Sequence, residues 1–152
     1  EQDTTGSLYD KLTLVGAAAI CAVVKNYNLL IPEQQNSSLS NYAAKLTKEE
    51  AQINWNEEAI VVERKIRGYN PIPGAFTLLN DKVLRVWWAR VINNDSHNYQ
   101  AGEFISLTNK EFIVACKKGI ISLEEVQLPG SKKMDIKSFL SGYKKTLQNK
   151  FI

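Results

Sequence analysis

The chain offers few residues that could do covalent chemistry. Its only histidine, His97, lies in the polar loop "NNDSHNYQ" and reads as a solvated surface residue rather than a catalyst. No second histidine and no cysteine spacing supports a metal site. There is no Gly-rich phosphate loop and no nucleophile elbow. The carboxylate pairs Glu49–Glu50, Glu57–Glu58 and Glu124–Glu125 are adjacent in sequence. Adjacent residues do not face each other on a helix and alternate faces on a strand. First-turn acids opposite a helix dipole account for the first two pairs. Nothing here assembles an active site.

The basic residues are more suggestive. Residues 1–63 carry four lysines against nine carboxylates, a net −5, whereas residues 64–152 carry 15 Lys+Arg against seven carboxylates, a net +8. A basic C-terminal part points to an anionic partner, and a solvated lysine-rich surface is the plain alternative. Arg64, Lys65 and Arg67 close a predicted helix. Arg85 and Arg90 lie on a Trp-bearing strand. Lys117–Lys118 and Lys132–Lys133 occupy turns, and Lys137, Lys144 and Lys145 fall on the last helix. Trp87 and Trp88 point to opposite faces of their strand, so at most one is core. The other is expected to be covered by a helix, with base stacking as the alternative. On the residues alone, a binding module for an anionic polymer is favoured over an enzyme or a plain scaffold.

Several elements must position these residues. "LYDKLTLVGAAAICAVVK", residues 8–25, reads as a helix with Ser7 as N-cap and Asp10 completing a capping box. It is apolar nearly all round over Ala17–Val24 and is expected to be buried against something. Residues 32–47 are polar and turn-rich and read as an extended linker. Thr47 can cap "KEEAQINW" and Asn56 can cap "EEAIVVERKIRG", where Ala59, Ile60, Val62 and Ile66 fall at helical spacing and Gly68 suits the stop. "NPIPG" then stiffens the chain. Beyond it the period is two: a hairpin with Asn80–Asp81 at its tip, a second with Asn109–Lys110 at its tip, and a strand opened at Gly119. A helix starting near Asp135 closes the domain. Short strands at regular spacing indicate a small closed or partly closed barrel of about five strands.

Composition is that of a soluble globular protein, 44% hydrophobic and 23% charged. Cys21 and Cys116 both lie in apolar runs and are expected to be buried thiols, which fits a reducing, cytoplasmic compartment. Between Lys11 and Lys25 the chain runs 13 residues without a charge, short of the ~20 of a membrane span, so no membrane is expected. The opening "EQDTTGS" reads as the middle of a longer protein.

Three blocks, "YAAKLTKEEAQINW" (Tyr42–Trp55), "IRGYNPIPGAFT" (Ile66–Thr77) and "LEEVQLPGSKKMDIKSFLSGY" (Leu123–Tyr143), together resemble the C-terminal part of the methionyl-tRNA formyltransferase family. "LYDKL" at Leu8–Leu12 resembles the last helix of that family's catalytic domain. Ile72 stands where the family typically has tryptophan. The resemblance implies a mainly β fold, a small OB-like barrel of five or six strands in Greek-key order with flanking helices. Residues 1–31 would be the terminal helix of a catalytic domain lying upstream, 32–47 the linker, and 48–152 the C-terminal barrel domain. The family transfers a formyl group from 10-formyltetrahydrofolate to methionyl initiator tRNA, with catalytic residues and folate pocket upstream. The resemblance therefore implies no cofactor and no catalytic residue in this chain. Its partners would be initiator tRNA and that catalytic domain, with self-association through residues 8–25 where the latter is missing. Candidate tRNA contacts are Lys45, Lys48, Arg64, Lys65, Arg67, Lys117, Lys118, Lys132 and Lys133, the last two in the family's Gly–Lys–Lys loop. Asn70, Pro71, Pro73 and Gly74 would form a structural turn that delivers the chain into the first strand at a fixed angle. The alternative is the structural second domain of a sugar-nucleotide formyltransferase; "KLTKEEAQINW" with "QLPGSKKM" is closer to the tRNA enzyme.

Overall fold

The computed structural model describes residues 2–108, 110–144, 147, 150 and 151. Helix α1 spans Thr5–Lys25 and α2 spans Ala59–Gly68. Six strands follow: β1 Phe76–Leu79, β2 Lys82–Asn93, β3 Phe104–Leu107, β4 Phe112–Ala115, β5 Ile120–Gln127 and β6 Met134–Asp135. Helix α3, Ile136–Tyr143, closes the order.

The strands form one curled antiparallel sheet in the order β1-β2-β5-β4-β3. β6 pairs with β5 at Glu125↔Asp135 and Val126↔Met134, beyond the stretch that β4 occupies. β3, β4 and β5 run consecutively, and β2 reaches β3 by a long connection yet lies beside β5, which is Greek-key connectivity. The result is the expected OB-like half-barrel. The β1–β2 turn is as expected too: Asn80 (φ 49°) and Asp81 (φ 60°) both take the left-handed conformation of a type I′ hairpin. Asn109 of the second predicted tip lies outside the described residues, as does Lys145.

The core fills the concave side. Leu84, Val86, Val114, Ile121, Leu123 and Val126 come from the sheet, Ala59, Val62 and Ile66 from α2, and Ile136, Phe139 and Leu140 from α3. Phe151 enters it from the C-terminal end, stacked on Trp55 at 5.1 Å and edge-on to Phe104 at 4.7 Å. The Trp55 indole N–H is satisfied by Thr77 Oγ1 at 3.0 Å. Asp135 caps α3 as expected, its carboxylate accepting from Ser138 N at 3.0 Å.

Other local expectations are corrected. The α1 cap is Thr4, with Ser7 as its capping-box partner, so the helix starts three residues early. At 21 residues it is long and apolar enough, by length and composition alone, to cross a membrane, which the 13-residue uncharged run had not suggested. Thr47 and Glu50 do form reciprocal capping bonds, but only a 3₁₀ turn, Glu49–Ala51, results. The chain then turns extended because Ile53 N bonds Phe76 O at 2.7 Å at the sheet edge. Asn56 does not cap α2. The N-cap is Glu58, and the first helical amide, Ala59 N, donates to the Lys118 carbonyl at 2.8 Å. Cys116 is buried, which pushes its thiol up to about 12, but Cys21 is exposed on α1. No residue of α1 is buried, since no described element packs over its apolar face.

Candidate nucleic-acid interface

The Asn70–Gly74 turn is compact and closed on itself. The bonds Asn70–Pro71 and Ile72–Pro73 are both cis, and Gly74 has φ 85°, a conformation that side chains disfavour. Gly74 N closes back on Tyr69 O at 2.9 Å. This compact turn packs on Trp87: an added Cβ at Gly74 would sit 3.1 Å from Trp87 Cη2. Asn70 Nδ2 donates to Trp87 O at 2.8 Å. Trp87 Nε1 donates to Gln127 Oε1 at 3.0 Å, and Gln127 Nε2 donates to Ser131 O at 2.7 Å. Lys133 Nζ lies 3.5 Å from the centroid of the Trp87 ring, a cation–π contact. Trp87 therefore holds the 128–133 loop against the Pro-rich turn.

Cations gather here. A cleft of about 240 Å³ is lined by Lys48, Pro73, Gly74 and Arg85. A neighbouring one of about 390 Å³ is lined by Arg85, Gln127, Pro129 and Gly130. They share Val83 and Arg85, so Lys48, Arg85 and Lys133 flank one continuous surface around Trp87, with exposed Lys132 beside it. The structure thus brings together Lys48, Lys132 and Lys133 of the predicted set. It adds Arg85, which the sequence marked only as a cation on the Trp strand.

The remaining predicted cations go elsewhere. Arg67 is largely withdrawn: it pairs with Glu63 and donates through Nη1 to Asp3 O at 2.8 Å. Arg64 stands exposed on the next face of α2, and Lys65 is half-buried. Lys118 lies 3.9 Å from Glu58, and Lys117, exposed in the same turn, is held through its amide to Trp55 O and Glu57 O. Lys45 is exposed, four residues ahead of the Glu49–Ala51 turn. His97 is pinned rather than loose. Its Nδ1 accepts from Tyr99 N at 3.2 Å, which leaves Nε2–H to donate to Gly119 O at 3.0 Å. Among the described residues, no three His, Cys, Asp or Glu side chains converge as metal ligands would.

A curled antiparallel half-barrel with flanking helices defines a small OB-like domain. The chain belongs to the formyl transferase C-terminal domain family, whose model matches residues 45–144. Among its relatives, the methionyl-tRNA formyltransferase of Thiobacillus denitrificans is 36% identical over 142 residues, which is 93% of this chain and 46% of that protein. That of Acinetobacter baumannii strain ACICU is 41% identical over 141 residues, 88% of this chain and 44% of that protein. The chain therefore spans about half the length of the curated relatives it matches. In structure it resembles a variant of HypX from Aquifex aeolicus with TM-score 0.71 and 16% identity, over 98% of this chain and 27% of that one. HypX in complex with tetrahydrofolic acid gives TM-score 0.69 at the same identity, over 96% of this chain and 26% of that one. At that identity the likeness concerns the fold alone.

Proposed function

We propose that this chain is the accessory, tRNA-holding part of a methionyl-tRNA formyltransferase. The intact enzyme would work in the cytoplasm. There it would transfer the formyl group of 10-formyltetrahydrofolate to the amino group of methionine on initiator tRNA, with chemistry and folate pocket in the part of the protein that this chain does not include. The chain alone would not be catalytic, and α1 would pack on that missing part.

The carrying observation is the cation surface around Trp87. Lys48, Arg85, Lys132 and Lys133 are long and exposed; Arg85 projects from strand β2, and Lys132 and Lys133 from a loop pinned to Trp87. Such side chains neutralise phosphates and release counterions, which gives affinity and orientation but no sequence readout. Lys45, Lys117, Lys118 and Arg64 add charge at a distance.

Labelled initiator and elongator tRNA, titrated with the chain at several salt concentrations, test this. Four neutralised phosphates predict a slope of about −3.6 in log K against log salt, so raising salt fourfold weakens binding roughly 150-fold. Lys132→Glu with Lys133→Glu should flatten the slope to about −1.8 or less while the circular dichroism spectrum is unchanged. Initiator and elongator tRNA should bind alike. No binding at low salt, or strong initiator preference by this chain alone, overturns the reading.

A further inference from the structure

A second surface lies at the edge of the core, in the cleft between α2 and strand β2. Strand β2 buries Leu84 and Val86 and then Ala89, so its alternation of faces slips by one residue. The pairing explains the slip. Val86 faces Val126 and Trp88 faces Glu125, which leaves Trp87 as an extra residue on β2. Ala89 then faces Leu123, which leaves Glu124 as an extra residue on β5. Bulges of this kind re-aim side chains and occur beside functional sites. Here they turn Trp88 outward, onto the same face as Arg90.

Helix α2 presents Ile60, Arg64 and Arg67 to that face, at i, i+4 and i+7. With Glu63, Trp88 and Arg90 they line a cleft of about 530 Å³, within the usual range of small-ligand sites. Glu63 is already neutralised by Arg67. Arg90 meets Glu124 at 3.0 Å, but both side chains are well exposed, and such pairs exchange readily for another anion. Arg64 is exposed and has no hydrogen-bond or ion-pair partner among the described residues. The cleft therefore combines a half-buried indole with an excess of guanidinium. A planar, anionic ligand satisfies both; an acidic peptide would use the arginines and leave the indole idle.

We propose that the Trp88 cleft holds one unpaired nucleotide, its base against the indole and its phosphate at Arg64, with Arg90 released from Glu124 to assist. This rests on the RNA reading above and deepens it. The lysine surface around Trp87 takes duplex backbone, and the Trp88 cleft takes a single-stranded element.

Fluorescence isolates the site. Trp55 and Trp87 are 4% and 6% exposed, so acrylamide quenching of the native protein reports chiefly on Trp88. The probes are a mixed-sequence RNA hexamer, the same hexamer annealed to its complement, and polyglutamate. The single strand should protect Trp88 from acrylamide, and duplex and polyglutamate should not. Loss of base–aromatic contact corresponds to roughly five- to a hundred-fold in affinity. Trp88→Leu should therefore weaken hexamer binding by about tenfold, Trp88→Phe should retain most of it, and neither should alter the salt slope for tRNA. Arg64→Gln, at an exposed position, should weaken the hexamer in a protein that folds normally. Equal protection by all three probes, or unchanged hexamer affinity in Arg64→Gln and Trp88→Leu, overturns the proposal. If tRNA binds with its salt slope while Trp88 stays quenchable by acrylamide, the cleft alone fails. If no RNA binds at low salt, both readings fail.

Discussion

Gly74→Ala is the sharpest probe of the joint between the Pro-rich turn and the cation surface. Gly74 has φ 85°, and an L-residue held there costs about 1–3 kcal/mol. The new methyl would also lie 3.1 Å from Trp87 Cη2 and 3.4 Å from Cζ3. The ring has nowhere to retreat, since Gln127 holds its N–H, Lys133 covers its face and Asn70 holds its backbone carbonyl. Overpacking of this kind adds roughly 1 kcal/mol or more. The expected loss is about 2–4 kcal/mol, read as a fall of about 1–2 M in the urea midpoint for a domain of this size. Trp87→Phe removes the distal ring that the methyl would strike. In that background Gly74→Ala should cost about 1 kcal/mol less, the backbone part remaining. A stability loss below about 0.5 kcal/mol for Gly74→Ala refutes the whole account, and additivity of the two substitutions refutes the crowding part.

Two further outcomes follow from other elements. The Asp135 carboxylate accepts from the backbone and side chain of Ser138, which holds its pKa below the usual value. Its contribution is therefore complete above the ordinary carboxylate pKa and is lost as pH falls through the depressed folded value. Asp135→Asn, which still caps, should leave the melting temperature at pH 7 nearly unchanged and flatten its decline below about pH 4; an unaltered acid limb would contradict this. Exposed apolar residues of α1, including Leu14 and Ile20, should drive the chain to associate in solution, and Leu14→Lys with Ile20→Lys should restore a monomer by sedimentation. A wild-type chain that is monomeric at all concentrations would count against it.

The elements legible in the sequence are those fixed locally. Asn80–Asp81 tolerates φ > 0 at two consecutive positions, so the hairpin tip could be read directly. Asp135 before an amphipathic run named its own helix. Where tertiary contacts choose between similar local options, reading failed. Thr4 and Ser7 are comparable caps, and the contacts of Thr5 and Gly6 with the α2 terminus favour the earlier start. Thr47 caps as read, but pairing of Ile53 with the sheet edge stops the helix. The apolar pattern of α1 and Cys21 implied burial, yet α1 has no buried residue and Cys21 is exposed. Of the site, the lysines of the 128–133 loop were visible as charge. The grouping with Arg85 depends on Trp87, and the outward turn of Trp88 depends on paired bulges that only the partner strand defines.

The same few residues fix both ends of the functional geometry. Asn70 accepts from Gly6 N at 3.0 Å through its carbonyl and donates to Trp87 O through its side chain. Thr5 Oγ1 donates to Gly68 O, Arg67 donates to Asp3 O, and a Cβ at Gly6 would lie 2.8 Å from Pro71 Cδ, so backbone and ring are in close approach. The start of α1, the end of α2 and the Trp87 surface thus meet in one polar joint. The covalent route between α1 and the half-barrel cannot do this work. Every residue from Leu8 to Glu50 is exposed, and α1 runs about 31 Å away from the joint before the chain begins its return. The 16 residues of 32–47 could reach up to ~50 Å, so they permit many orientations and select none. On the proposed reading, whatever α1 packs against would therefore be set relative to the cations around Trp87 by the joint at Asn70–Gly74, and that short stretch would let the half-barrel present its charges in one direction.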